Sequence, residues 1–203
     1  WRKECVWWRR RGGVVHLCAT ARSAVDRTVL QKYLSNESYW AEGMTDDMVD
    51  AMVEHSWCFS LLKTTAESLG DNGNVCSEEE GMRIGTEADT LLESCRELAE
   101  FVGFGRYVTD YCTFAYMSDI FVLKTARGSG LGQWLVACMT HPSVVGGMRA
   151  VVLKTVSATA FYEEFGFRQS GDQVAVMTLL PPRPPSFPGV SSGAFALDRL
   201  HTC

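Results

Sequence analysis

Between two apolar segments, FVLKTA and QWLVACM, the chain places RGSGLG, residues 127 to 132. Three glycines in six residues weaken the interior of a helix or a strand. The stretch therefore reads as a turn with a strand before it and a helix after it. Such a turn presents backbone N–H groups at a helix N-terminus, where the helix dipole adds positive potential. That chemistry suits an anion, above all a phosphate. A purely structural tight turn is the competing reading of these six residues taken alone. The spacing excludes two common phosphate loops. A Walker loop needs a lysine after its last glycine, whereas Gly132 is followed by Gln133 and Trp134. A dinucleotide fingerprint begun at Gly128 and Gly130 needs a glycine at 133. What remains is R-x-x-G-x-G, with Arg127, Gly130 and Gly132.

The surrounding pattern alternates strand and helix. FVGFGRYVTD and TFAYMSDIFVL read as strands, Gly128 to Thr140 as a helix stopped by His141-Pro142, and Arg149 to Thr155 as a strand buried on both faces. Ala158, Phe161, Tyr162 and Phe165 mark a short helix closing at Gly166, and QVAVMTL a last strand. Strand, glycine turn, helix and strand form a crossover unit with parallel neighbours. The expected fold class is α/β, a mixed sheet with helices on both faces. Upstream, Asp26 opens the helix DRTVLQKYL, with Val29, Leu30 and Tyr33 on one face. SNESYWAEGM follows as a loop. Thr45 caps a second helix with Asp46 and Asp47 in its first turn, and Ser56 to Leu62 reads as a strand. The basic, aromatic start, WRKECVWWRRRGG, has no clear period, and residues 1 to 24 read as a poorly ordered arm.

Residues 64 to 100 hold ten acidic and two basic residues, a net of −8. They read as an insertion between two strands. Its first half, with DNGN and SEEEG, reads as a solvated loop. Its second half reads as a helix with Leu91, Leu92, Cys95, Leu98 and Ala99 on one face. The expected organisation is an arm at 1–24, one domain at 25–180 and a mobile proline-rich tail at 181–203.

A net charge of −5 argues against a general binder of nucleic acid or anionic membranes. No apolar run approaches the roughly 18 residues that span a bilayer. The eight cysteines form no CxxC and no zinc-finger spacing with histidine, so no metal is expected. A reducing, cytoplasmic setting is the natural expectation. No signal peptide is legible, and because the chain begins at Trp1 its natural start is left open.

The residues from 101 to about 170 resemble the GNAT-type N-acetyltransferases. R-x-x-G-x-G after a strand is that family's acetyl-CoA signature, and YMSDIFVLKTARGSGLG looks like its fourth strand and pyrophosphate loop. Further on the family has N-x-x-A-x-x-F/L-Y and then G-F. This chain has Thr155, Ala158, Phe161 and Tyr162, then Phe165, Gly166 and Phe167. A weaker likeness, to uncharacterised fungal members, reaches back to about residue 26.

The resemblance implies acetyl-CoA as co-substrate and an amine acceptor that attacks the thioester directly. It implies that Ile120, Phe121 and Val122 pair with the pantetheine arm. Gly128, Ser129, Gly130, Leu131, Gly132 and Gln133 would hold the pyrophosphate, with Arg127 adding charge or bracing the loop. Thr155 and Ala158 would complete the cofactor contacts. Tyr162 falls where the family places its general acid, and a phenol of reference pKa about 10 can protonate a departing thiolate. Asp119, a carboxylate in an apolar strand, is read either as the base or as a hydrogen-bond partner of a neighbouring loop. His55 and Glu54 are weaker candidates. Three positions depart from the family pattern: Ser118, where some relatives have Glu, and Thr155 and Lys124, where many have Asn and Pro. Tyr39 and Trp40 are candidates to line the acceptor's path, with ordinary loop packing as the alternative. The acidic insertion is a candidate to attract a cationic acceptor such as a polyamine or basic peptide. A small-molecule or peptide amine is the expected partner, with monomer and homodimer both open. An acyl-CoA-binding protein without turnover, and a phosphate-binding fold unrelated to CoA, are the competing readings.

Overall fold

The computed structural model describes residues 4–66 and 80–169. Cys5–Arg11 (β1), Val14–Ala19 (β2), Trp57–Thr65 (β3), Glu80–Ile84 (β4), Glu100–Thr109 (β5), Phe114–Val122 (β6) and Ala150–Leu153 (β7) form one sheet. Its order is β4-β1-β2-β3-β5-β6-β7. Every neighbouring pair is antiparallel except β6 and β7. The expected mixed sheet is therefore present, and its parallel pair flanks the glycine turn.

The chain divides into two compact units. The smaller is described over Arg27–Ala51. It holds the helix Arg27–Asn36 (α1) and most of the helix Asp46–Glu54 (α2). Leu30, Tyr33 and Leu34 are the buried positions of α1. The Thr45 hydroxyl accepts from the Met48 amide at 3.4 Å, as a capping residue does. The larger unit carries the sheet and four further helices, Thr86–Cys95 (α3), Leu131–Met139 (α4), Pro142–Val145 (α5) and Thr159–Glu163 (α6). α4 is apolar on one side because it buries Leu131, Leu135 and Met139 in a cluster with Trp57, Phe59 and Tyr107 from the sheet. The Tyr107 hydroxyl donates to the Met139 carbonyl at 3.1 Å, which satisfies a buried polar group at the helix end.

Several expectations are corrected. The start is not a poorly ordered arm, since β1 and β2 form a hairpin in the sheet. Its aromatics hide the period because both faces of β1 are covered: Trp7 packs in the α4 cluster and Trp8 is 2% exposed on the other side. The ring of Trp8 lies on Gly81, where a Cβ would come within 2.0 Å of it, and under the Arg83 guanidinium. That contact also explains why Glu80–Ile84 is a strand and not a solvated loop: β4 pairs with β1 and covers Trp8. The remainder of the predicted loop, residues 67–79, lies outside the described residues.

The helix of the insertion ends at Cys95, and Leu98, placed on its buried face, is 61% exposed beyond the end. The helix expected from Gly128 starts at Leu131, because Gly128 and Gly130 have φ of +83° and +71°. α4 does end at Met139, ahead of His141-Pro142 as expected; Pro142 has a second place as well, in the first turn of α5, where the His141 ring accepts from the Ser143 amide. β7 is not buried on both faces. Ala150 is exposed and the next three residues are half-buried, as fits a strand paired only to β6 among the described residues. QVAVMTL and the proline-rich tail lie outside those residues.

A row of charge crosses the sheet. Glu80, Arg9, His16, Lys63 and Glu100 are successive cross-strand partners. His16 is 8% exposed, and burial first, then Arg9, Lys63 and Arg11, lowers its pKa to about 4. An unfolded histidine takes up its proton near pH 6.5. Between those values the unfolded chain binds more protons than the native one, so stability falls as pH drops. Urea unfolding at pH 7, 5.5 and 4.5 should show that loss, of about 2–3 kcal/mol across the window. His16→Gln should flatten this part of the slope, and an unchanged slope contradicts the assignment.

Candidate functional site

The strand leading into the glycine turn changes partners along its length. Phe114 to Met117 of β6 pair with Ala150 to Leu153 of β7. Beyond Met117 the ladder to β7 ends, while pairing with β5 continues to Val122. Within that stretch the two steps from Phe104 to Arg106 on β5 oppose the three from Ser118 to Phe121 on β6. The extra residue is a β-bulge, which bends the strand that carries it. Asp119 sits in it with φ of +54°, a conformation few non-glycine residues adopt. The bulge and the end of the ladder to β7 thus fall side by side on β6.

Asp119 is buried, and its Oδ2 accepts from the Arg106 Nε. Arg106 also donates from Nη1 to the Ser56 hydroxyl at 2.9 Å. Tyr116 feels the same cluster: burial and then the Asp119 carboxylate raise its pKa, with Arg106 opposing. The backbone-bonding alternative for Asp119 thus gains a specific competitor, an ion pair from the adjacent strand. Arg106 and Ser56 were missed in the sequence. The signal was there, since Arg106 is the lone charge inside FVGFGRYVT and a buried carboxylate needs a partner.

The turn itself is built from backbone. Lys124–Ala126 makes one 3-10 turn, Gly128 and Gly130 take left-handed conformations, and Gly130 caps α4 without a side chain. Trp134 is the first amide of the helix to reach a carbonyl, that of Gly130 at 3.1 Å. Amides from Gly128 to Gln133 donate to no carbonyl among the described residues. A Cβ at Gly128 or Gly132 would meet nothing within 4 Å, and one at Gly130 only the Gln133 side chain at 4.0 Å. The glycines therefore leave open space over a row of donors, which fits a pyrophosphate. Leu131 is buried and anchors the turn in the core; Gln133 is exposed. The Ser129 hydroxyl donates to the Ala126 carbonyl at 3.1 Å. Of the two roles open to Arg127, the structure displays the brace, with Nε donating to the Val122 carbonyl at 2.9 Å.

Other expected residues fall around the same core. Ile120, Val122 and Tyr162 all pack against the cluster that holds Leu131, while Phe121 is buried against Phe104. Ile120 lies where a Cβ on Gly105 would strike it, at 2.6 Å. Tyr162 on α6 meets Phe161 and Phe167 edge to face at 5.0 and 5.8 Å. Thr155 accepts from the Ala158 amide at 3.1 Å, so its hydroxyl secures the turn into α6. Glu54 pairs with Arg22 at 2.9 Å, and His55 is exposed. Tyr39 and Trp40 belong to the smaller unit and contact each other edge to face at 5.0 Å; Tyr39 is 67% exposed. Among the described residues no group of three or more His, Cys, Asp or Glu side chains is placed to hold a metal, and no helix is long and apolar enough to cross a membrane.

Residues 91–169 match the acetyltransferase (GNAT) domain family. A Gibberella zeae protein provisionally named an acetyltransferase is 24% identical over 127 residues, 62% of this chain and 63% of that protein. The match thus spans a little under two thirds of the relative's length. A crystal structure from Xanthomonas campestris pv. campestris, titled as a provisional acetyltransferase of the GNAT family, shares 26% identity. It covers 82% of this chain and 94% of its own, with a TM-score of 0.59. A Clostridium difficile structure, also provisionally titled an acetyltransferase, is 12% identical with a TM-score of 0.50 over 83% of this chain and 99% of its own, and speaks to the fold alone.

Removing one partner of a buried ion pair strands the other charge, at a cost of about 3 kcal/mol or more. Asp119→Ala should therefore destabilise the protein by about that amount in urea unfolding. The double variant Arg106→Met/Asp119→Ala should recover part of the loss. A double variant as unstable as the sum of two independent single losses contradicts the pairing.

Proposed function

We propose that the protein is an acetyl-CoA-dependent N-acetyltransferase, because residues 91–169 match the GNAT acetyltransferase domain family and the fold resembles that of a GNAT-family structure. The observation that carries this reading is the end of the β6–β7 ladder at Met117–Leu153 on the strand that leads to a turn whose amides donate to no carbonyl among the described residues and whose glycines border open space. When bound, acetyl-CoA supplies a thioester, the activated acyl group that an amine can attack. The amides from Gly128 to Gln133 hold the pyrophosphate, where the α4 dipole favours negative charge. The backbone of Ile120 to Val122, beyond the end of the β6–β7 ladder, would pair with the pantetheine arm. The acceptor nitrogen attacks after losing its proton, and the Tyr162 hydroxyl gives a proton to the departing sulfur.

Asp119 has two candidate roles here, base and bulge anchor. Loss of a base lowers kcat and alters the acid limb of the pH profile. Loss of the anchor raises KM for acetyl-CoA. The pair with Arg106 and the serine at 118 also favour a second reading, a GNAT-fold protein that binds acyl-CoA without turnover.

Calorimetric titration with acetyl-CoA tests the shared part of both readings. Wild type should bind. Gly130→Glu should weaken binding at least about tenfold, since a side chain is strained at positive φ and the added carboxylate repels phosphate. A folded wild type with no affinity overturns both readings. Where binding holds, an acceptor screen separates them. Transfer that falls about a hundredfold in Tyr162→Phe supports the enzyme, and binding without transfer across amine classes supports the second reading.

A further inference from the structure

Arg9 lies on β1, in a segment that the sequence pattern left without a role, yet it reaches the glycine turn. It is 5% exposed, and its Nη2 donates to the Ser129 carbonyl at 2.9 Å. Its guanidinium lies 4.9 Å from the centre of the Trp134 ring, in the first turns of α4. One buried cation thus touches the turn and the helix that follows it. Burial, and then the charge of Arg11, lower its pKa, with Glu80 across the β1–β4 pair opposing.

We propose that Arg9 is a positioning residue for the phosphate cradle, one that fixes the direction of the Gly130 amide. In a trans peptide the C=O of one residue and the N–H of the next point in opposite directions. The Ser129 carbonyl is drawn toward Arg9 on the sheet side. The Gly130 N–H is thereby turned away from Arg9, to the side from which an anion approaches. The peptide between them needs such a lock. Rotating it changes ψ of Ser129 and φ of Gly130, and a glycine tolerates either sign of φ. A rotated peptide would present a carbonyl oxygen where the cradle needs a donor. A charge-assisted hydrogen bond from a buried guanidinium resists that rotation, and the contact with Trp134 holds the guanidinium in place. Arg9 does not itself reach the ligand, because almost none of it is exposed.

This inference rests on the acetyl-CoA reading of the turn, and the experiment separates the two. Acetyl-CoA is titrated into wild type, Arg9→Met and Arg9→Lys. Arg9→Met keeps the aliphatic volume without the donors and should bind about tenfold more weakly. Arg9→Lys keeps the charge and one donor and should recover most of the loss. A residue that only packs gives a different result: both variants bind like wild type once folded, and the inference fails. A second measurement needs no variant. In ¹⁵N-labelled wild type the Gly130 amide proton should shift downfield on addition of acetyl-CoA. A Gly130 resonance that stays still while neighbouring amides move overturns the inference even if Arg9→Met does not fold. Wild type without affinity removes the acetyl-CoA reading and this inference with it. Wild type that binds, with Arg9→Met unchanged, removes the inference alone.

Discussion

The ion pair between Arg106 and Asp119 sets the shape of β6 next to the point where its ladder with β7 ends. β5 and β6 are out of step by one residue at this point, and the extra residue has to go somewhere. Asp119 takes it up with a left-handed backbone that costs energy for a residue with a side chain. The strain persists because the carboxylate finds a guanidinium from the facing strand, itself steadied by Ser56. Two buried charges are rarely worth more than a well-packed apolar pair for stability alone. Their use here is local: they hold a bend in β6 next to the place where its ladder with β7 stops. Packing supports the bend on the other face, where Gly105 leaves room for Ile120 beside Met139.

The turn that follows depends on anchors of two kinds. Leu131 is an apolar anchor, buried with Leu135 and Met139 against Phe59 and Tyr107. Arg9 and Arg127 are polar anchors, each spending an N–H on a main-chain carbonyl, at Ser129 and Val122. Glycines at positive φ give the loop its path, and the anchors remove the freedom that the same glycines would otherwise keep. A binding site made of backbone amides is only as good as their fixed direction.

Much of the crossover unit was legible because its signals are local. β5, β6, the turn and α4 each announce themselves by period or by glycine, and the two motif blocks lie within 45 residues of each other. What escaped was held by distant partners. Trp7 and Trp8 look like an aperiodic basic arm until β2 and β4 pair with the two edges of β1 and its faces are covered, Trp7 in the α4 cluster and Trp8 against Gly81 and Arg83. The bulge at Asp119 cannot be read from TFAYMSDIFVL, since it exists only relative to β5. Arg9 is 120 residues from Ser129 in sequence, and nothing local links them.

The same distinction separates an anion site made of backbone from an acceptor site made of side chains. Backbone amides at a helix start recognise an anion whatever the side chains around them, so a glycine spacing and two φ angles carry the argument. An amine acceptor is chosen by side chains, and its candidates here, Tyr39 and Trp40, sit in the smaller unit, away in sequence from both motif blocks. Side-chain selectivity depends on volume and on one or two placed polar groups, and neither leaves a spacing that a sequence pattern can hold. On the acetyl-CoA reading, holding the pyrophosphate falls to the main chain. Ser118, Thr155 and Lys124 are side-chain positions, and it is there that this chain departs from the pattern it otherwise resembles.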